Sequence, residues 1–462
     1  MNIKDAEFHF ASAPHRSTDQ YTMIVFDSGD AQPPTFDEVT RHVERRAEHV
    51  RRLRIRICEV PGQLDLPRWV RDRLPVRDHL IDHDLSDGRH TAASFLAELS
   101  SNAIDATDRA WTVHVGRGLT AVDGVQGAAT VVVVQISHAL ADGSVGTRIA
   151  RALFGRDEIT ENLGFTDDPE TSRAHPLYDA AKAAVLLPIR WVRSQFAMVR
   201  TQRRYVAAVR TGELVAPRSV GSTSSNVHPD GTRAVHVLQF PKAQFRGGQH
   251  TVTVTALTAV GAALSTFFAA HGEPDHDDIR ALVPIALAPT VPWPAINRTL
   301  PAAVSLHSQL TGAAERASAV AAALSLQRDH VTDHRHVEAT LAAENYPAAL
   351  LHGFGRHASS IVRRTGRPDR AVTHTVVTSV DRTGLDLVLG SGRARLCAGV
   401  AALGPGCSLT HAVYGYGEVI AVCVSVCPTT VPDHSEYADI LRASIDETCA
   451  ALHGTTPTAA RR

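Results

Sequence analysis

An unbroken apolar run, Val131-Val132-Val133-Val134, continues through Gln135-Ile136-Ser137 into His138-Ala139-Leu140-Ala141-Asp142-Gly143. Helical spacing then takes over from Ser144 to Phe154. The pattern predicts a strand over 130–136 buried on both faces, a glycine-containing turn, and a helix. Alternation and β-branched content predict further strands at 22–26, 111–115, 234–240, 375–380, 385–389 and 418–426, and one at 282–287 interrupted by Pro284. Helical spacing predicts helices over 36–53, 91–104, 254–270, 313–329 and 437–452. The first of these has Thr35 as N-cap and Asp37-Glu38 in its opening turn. Small residues (Ala256, Ala259, Gly261, Ala262, Ala263) on the helix over 254–270 permit close packing.

The organisation reads as two mixed α/β halves, 1–175 and 233–462, separated by a helical crossover and linker over 176–232. Residues 155–175 read as a polar loop, and 211–232 as a linker rich in Ser, Thr, Pro and Gly. Between them, 176–210 is helical and basic: Lys182, Arg190, Arg193, Arg200, Arg203, Arg204 and Arg210 occur with no acid after Asp179, interleaved with Trp191, Phe196, Met198 and Tyr205. Two readings stay open: peripheral contact with anionic lipid through 182–210, or a crossover with a solvated basic side.

A chain of 462 residues with 44% hydrophobic content can bury two cores. Its net charge of −1 gives no global pull toward nucleic acid. Six cysteines without a C-x-x-C pair read as small buried thiols, which suits a cytoplasmic location. No secretory signal is expected in Met1–Phe8, and no run of apolar residues is long enough to predict a membrane span.

His138 is the candidate general base, because a strand end is a fixed seat and an imidazole titrates near working pH. At this composition H-x-x-x-D-G arises by chance roughly one time in ten, so its place between strand and helix carries the weight. Asp142, four residues on, is placed to be read as a partner that orients the imidazole. Gly143 or Ser144 could supply an N–H to an oxyanion. No metal site is expected: the 329–336 cluster lacks ligand spacing, and Gly272 and Pro274 make 271–278 a loop. There is no G-x-S-x-G elbow, phosphate loop or dinucleotide fingerprint.

The segment Ser137–Gly143 resembles the H-H-A-L-x-D-G signature of the bacterial wax ester synthase/diacylglycerol acyltransferase family, within the condensation-domain and chloramphenicol-acetyltransferase-like superfamily. Ser137 stands where that family has its first histidine. Arg51–Gly62 with Pro67–Val70, Ile104–Trp111, Asn226 with Arg233, 252–272 with Ile279–Ile285, and 373 to about 452 are similar to family segments in the same order. Arg109-Ala110 and Thr255-Ala256 depart from its Pro-Leu and Asn-Asp.

The resemblance implies an α/β (α+β) fold of two chloramphenicol-acetyltransferase-like lobes with a tunnel between them. It implies an acyl-CoA-dependent O-acyltransferase that uses acyl-CoA as co-substrate and an alcohol as acceptor, without a bound cofactor. His138 would be the base and Asp142 a structural brace, commonly paired with an arginine. Gly143 would keep space at the tunnel, flanked by Ser137 and Ser144. The departures fit a specialised acyltransferase, one acting on a secondary metabolite among them. A condensation-type enzyme taking its donor from an acyl carrier protein, and a non-catalytic binding or scaffold protein that kept the fold, stay open beside it. A location at the inner face of the membrane stays open beside the cytoplasmic one.

Overall fold

Two six-stranded sheets form the frame. The computed structural model describes residues 1–13, 16–120, 127–157, 175–216, 218–246, 248–273, 278–342, 348–350 and 366–454, with positions 122, 124, 125, 171 and 353. The first sheet has the order β13 (Val388–Leu389), β14 (Gly392–Ala398), β1 (Gln20–Asp27), β6 (Ala129–Ile136), β5 (Trp111–Leu119), β4 (Leu80–Asp84). The second has the order β10 (Thr299–Ser305), β9 (Arg280–Ala286), β12 (Thr375–Asp381), β15 (Leu409–Tyr416), β16 (Val419–Val426), β8 (Ala234–Pro241). Pairing is mixed: β4–β5, β9–β12 and β12–β15 are parallel and the other pairs antiparallel.

Strand β6 is buried along its whole length, as its apolar run predicts. It lies between β1 and β5 in a register that pairs Ile136 with both Gln20 and Trp111. Helices α2 (Phe36–Ala47) and α4 (Gly143–Phe154) cover one face through Val39, Val43, Ile149 and Leu153. The other face meets the second sheet: Tyr21, Met23, Val25 and Val133 join Ala412, Tyr414, Ala421 and Cys423 in one core. Helix α7 (Val252–Ala270) is long and apolar enough to cross a membrane, yet most of it is buried in the second lobe's core.

Most predicted elements appear close to their expected bounds, including α5 (Pro176–Arg210). Helix α1 (Ile3–Ala11) and strand β14 were not anticipated. The helix expected over 36–53 stops at Ala47 and tightens into a 3-10 turn, Arg51–Arg54, that keeps Leu53 buried. Pro284 does not interrupt β9, because it faces Pro301 across the ladder, where neither missing N–H is needed. Strands β13 and β14 correct the expectation of two lobes each built from its own half. They come from the second half of the chain and close the edge that β1 would otherwise expose. Most of the expected 155–175 loop lies outside the described residues.

A polar string crosses the first sheet. His83 Nε2 meets His114 Nδ1 (3.1 Å), and His114 Nε2 donates to Gln135 Oε1 (3.0 Å). The Gln135 amide N–H groups donate to Asp19 Oδ2 (2.8 Å) and Tyr21 Oη (2.9 Å). Burial is the main influence on Asp19 and pushes its carboxyl from 3.8 up to about 6, against the hydrogen bonds from Ile104, Gln135 and Ser17. The folded protein therefore binds a proton that the unfolded chain releases near pH 3.8. This group's contribution is greatest at low pH and is lost as pH rises through about 6. Asp19→Asn keeps one acceptor oxygen and cannot ionise. Its urea midpoint relative to wild type should climb between about pH 4 and about pH 7.5; a difference that stays constant with pH would show Asp19 to be charged throughout.

Candidate active site

Strand β6 ends at Ile136 and delivers His138 to the junction of the two lobes. The turn is fixed by main-chain bonds: Ser137 N–H donates to Ala110 O (2.9 Å) and Leu140 N–H to Ser137 O (2.8 Å). Arg52, fully buried, donates to Leu140 O (3.3 Å).

Asn297, on the loop between β9 and β10, governs the imidazole. Its Nδ2 donates to the His138 carbonyl (2.8 Å) and to Asp5 Oδ1 (2.9 Å). With both amide hydrogens directed at oxygens, Oδ1 must be the atom that faces His138 Nδ1 at 2.8 Å. Nδ1 therefore carries the hydrogen, and Nε2 holds the basic lone pair. Gln20 Nε2 lies 3.4 Å from that lone pair as a long donor. Phe8 of α1 stacks flat on the ring, with centroids 3.9 Å apart and planes 2° from parallel. Burial, the largest influence, holds the His138 pKa below its ordinary value, against the Asn297 bond and the Asp142 charge. The imidazole is thus neutral at neutral pH.

Asp5 closes the arrangement from the N-terminal side. Buried at 1% exposure, its carboxylate accepts from Ile296 N (3.0 Å) and Asn297 N (2.9 Å) besides the Asn297 amide. Burial raises its pKa, and these donors pull it back.

Asp142 braces the turn, in a way different from the one expected. Oδ1 caps α4 by accepting from Ser144 N (3.0 Å), Ser144 Oγ (2.8 Å) and Val145 N (2.9 Å). Oδ2 accepts from the Arg298 main-chain N–H (3.0 Å). The arginine is present, but its guanidinium is spent on Trp293, Ala288 and Val291 carbonyls, so the pairing is no ion pair. The cap also occupies the Ser144 N–H, which corrects its expected availability to an oxyanion. In the first turn of α4, Gly143 keeps the N–H without a protein partner among the described residues.

Gly146 lies closer against the Gln20 side chain than Gly143 does against Val380. A β-carbon at Gly143 would meet Val380 at an ordinary 3.4 Å, whereas one at Gly146 would lie 2.9 Å from Gln20 Oε1. Behind α4, buried Arg382 donates to Thr147 Oγ1 (3.1 Å) and Thr22 Oγ1 (3.0 Å) and lies over the Tyr414 ring. Thr147 Oγ1 in turn donates to the Gly143 carbonyl (2.8 Å). Sequence reasoning singled out none of Asp5, Phe8, Gln20, Gly146, Asn297 and Arg382, since each reaches the site only through tertiary structure.

The two histidine-rich segments lie elsewhere. Exposed His271 sits 3.1 Å from Asp433 and 3.8 Å from Glu436, and its pKa is raised by its bond to the Phe267 carbonyl and by these acids. The arrangement is that of an ion pair, and 274–277 lie outside the described residues. In the other segment, Asp333 caps α9 (His334–Leu341), and His330 packs against Tyr205 and His336.

Residues 1–256 match the family model described as the wax ester synthase/diacylglycerol acyltransferase catalytic domain. No curated protein matches the chain in sequence. Among solved structures, the chain is similar to the wax ester synthase/diacylglycerol acyltransferase of Marinobacter aquaeolei VT8, with TM-score 0.64 and 16% identity over 98% of this chain and 100% of that one. It is also similar to the starter condensation domain of rhizomide synthetase, solved with C8-CoA, with TM-score 0.58 and 13% identity over 99% and 96%. The trichothecene 15-O-acetyltransferase of Fusarium sporotrichioides aligns with TM-score 0.57 and 8% identity over 96% and 93%.

The neutral amide on Nδ1 predicts how the ring titrates. In ¹³C-imidazole spectra, with the resonance assigned through His138→Gln, His138 should titrate below 6.5. Asn297→Ala, which removes the acceptor from Nδ1, should lower that value further, because the Asn297 bond favours the charged ring. Identical titration curves would show that Asn297 does not hold the ring.

Proposed function

The chain belongs to the wax ester synthase/diacylglycerol acyltransferase family and is an acyltransferase; from that premise we propose that it transfers the acyl group of an acyl-CoA to an alcohol, with His138 Nε2 as the general base. The observation that carries the assignment is the fixed tautomer. A histidine with its hydrogen held on Nδ1 by Asn297 presents its basic lone pair on Nε2, at the lobe junction, met only by the long Gln20 contact among the described residues. It is neutral at working pH because burial lowers its pKa.

In the proposed step, the acceptor hydroxyl takes the place of the Gln20 amide at Nε2. Its proton passes to Nε2 as its oxygen forms a bond to the thioester carbonyl carbon. The tetrahedral oxyanion collapses, the C–S bond breaks, and the CoA thiolate leaves with the proton that His138 carries. The products are an ester and free CoA thiol, and His138 returns to its neutral form. The unpartnered Gly143 N–H is our candidate for the donor to the oxyanion, reinforced by the positive end of α4. Asn297 is a positioning residue, since it acts through the ring and not on the substrate. The absence of a carboxylate on Nδ1 makes His138 a weaker base than one in an Asp–His pair. That suffices for a thioester, whose thiolate leaves with little protonation.

The test is acyl transfer by wild type and His138→Ala, with acyl-CoAs of graded length offered to long-chain alcohols, diacylglycerol and small polar alcohols. Product is read by mass spectrometry and thiol release. Loss of roughly 10²–10⁴-fold in the variant, with its fold intact, is expected for a general base. Equal rates would remove His138 from the chemistry. Turnover only with an acyl carrier protein would move the donor to the condensation type, and no turnover with any donor would favour a binding role.

A further inference from the structure

Helix α5 carries an apolar face that nothing in the described structure covers. Val185, Ile189, Val192, Phe196 and Val199 recur at spacings of four and three, so they form one stripe along the helix. They are 76%, 59%, 51%, 74% and 48% exposed. The buried residues Ala183, Ser194 and Ala208 lie on the opposite side, which seats the helix on α9 and on the 3-10 turn Pro61–Gln63. The seating is pinned by Arg190 to Asp65 (2.8 Å) and Arg204 to Glu338 (3.5 Å). A second set of cations borders the outer stripe. Lys182, Arg193 and Arg200 follow one flank, and Arg203 and Arg210 continue the charge to the end of the helix. No acidic residue occurs between Asp179 and Arg210.

We propose that this outward face of α5 docks on a lipid bilayer bearing anionic headgroups. Apolar side chains of this kind bury at the acyl boundary while flanking arginines reach back to phosphates. The charge pattern selects the bilayer over a second copy of the chain. The spacing would suit a helix pair, but either orientation would set cations against cations with no acid to answer them. The basic face also sits on a chain whose net charge is only −1, so attraction to an anionic surface is local to this helix.

The full-length protein tests this by sedimentation with vesicles, independently of acyl transfer. Wild type should co-sediment with vesicles of phosphatidylcholine and phosphatidylglycerol, and far less with phosphatidylcholine alone or at high salt. The double variants Ile189→Ser with Phe196→Ser, and Arg193→Gln with Arg200→Gln, should each lower partitioning roughly tenfold or more. Their circular dichroism and thermal midpoints should match wild type, since the substituted side chains face outward. Three outcomes would overturn the proposal: wild type that stays in the supernatant, variants that bind as well as wild type, or a lipid-free dimer dissociated by the Phe196 substitution.

Discussion

One carboxamide sets the terms for everything at the lobe junction. Asn297 joins three stretches of chain that are far apart in sequence: the N-terminal helix through Asp5, the strand-end turn through the His138 carbonyl, and the imidazole itself. Each bond constrains the others, because an amide has one acceptor end and one donor end. If it turned over, its NH₂ would face the ring nitrogen and its oxygen would face both the Asp5 carboxylate and a carbonyl. The network thus has one satisfied arrangement, and that arrangement decides which nitrogen of His138 is basic. It also explains how a buried carboxylate can lie close to the base without charging it: the amide insulates one from the other.

Asp142 plays the complementary part on the other side of the turn. One oxygen caps α4 and the other holds the second lobe by the Arg298 main chain. The first turn of α4 is further tied to the second lobe through Thr147 and Arg382. The base is therefore seated by contacts from both lobes, and a change in how the lobes dock changes the orientation of the ring.

The local parts of this design are legible in the sequence. The valine run announces β6, the helical spacing announces α4, and the histidine falls between them because strand and helix patterns are short-range. Asp142 is close enough to Ser144 and Val145 that a cap can be read from spacing alone. Asn297, Asp5 and Phe8 leave no such trace. They act across the fold, and nothing in a proline-rich segment or a nine-residue amphipathic helix marks them as partners of a distant ring. The extent of α5 is clear from its periodicity, but periodicity does not distinguish an inward apolar stripe from an outward one. Strand β14 carries two arginines in Gly392–Ala398 and gathers its larger apolar residues at one end, so no alternation announces it.

The exchange of β14 into the first sheet bears on how the molecule is made. Met23 cannot meet its partner Ala398 until nearly the entire second half of the chain has left the ribosome. During synthesis the N-terminal half therefore waits with β1 unpaired along one edge, a state prone to mispairing that chaperones would have to shield. Pairing across so much sequence also implies slow folding. A fragment ending after the crossover helix would lack the strand that completes its sheet, so the two lobes are units of architecture and not of independent folding.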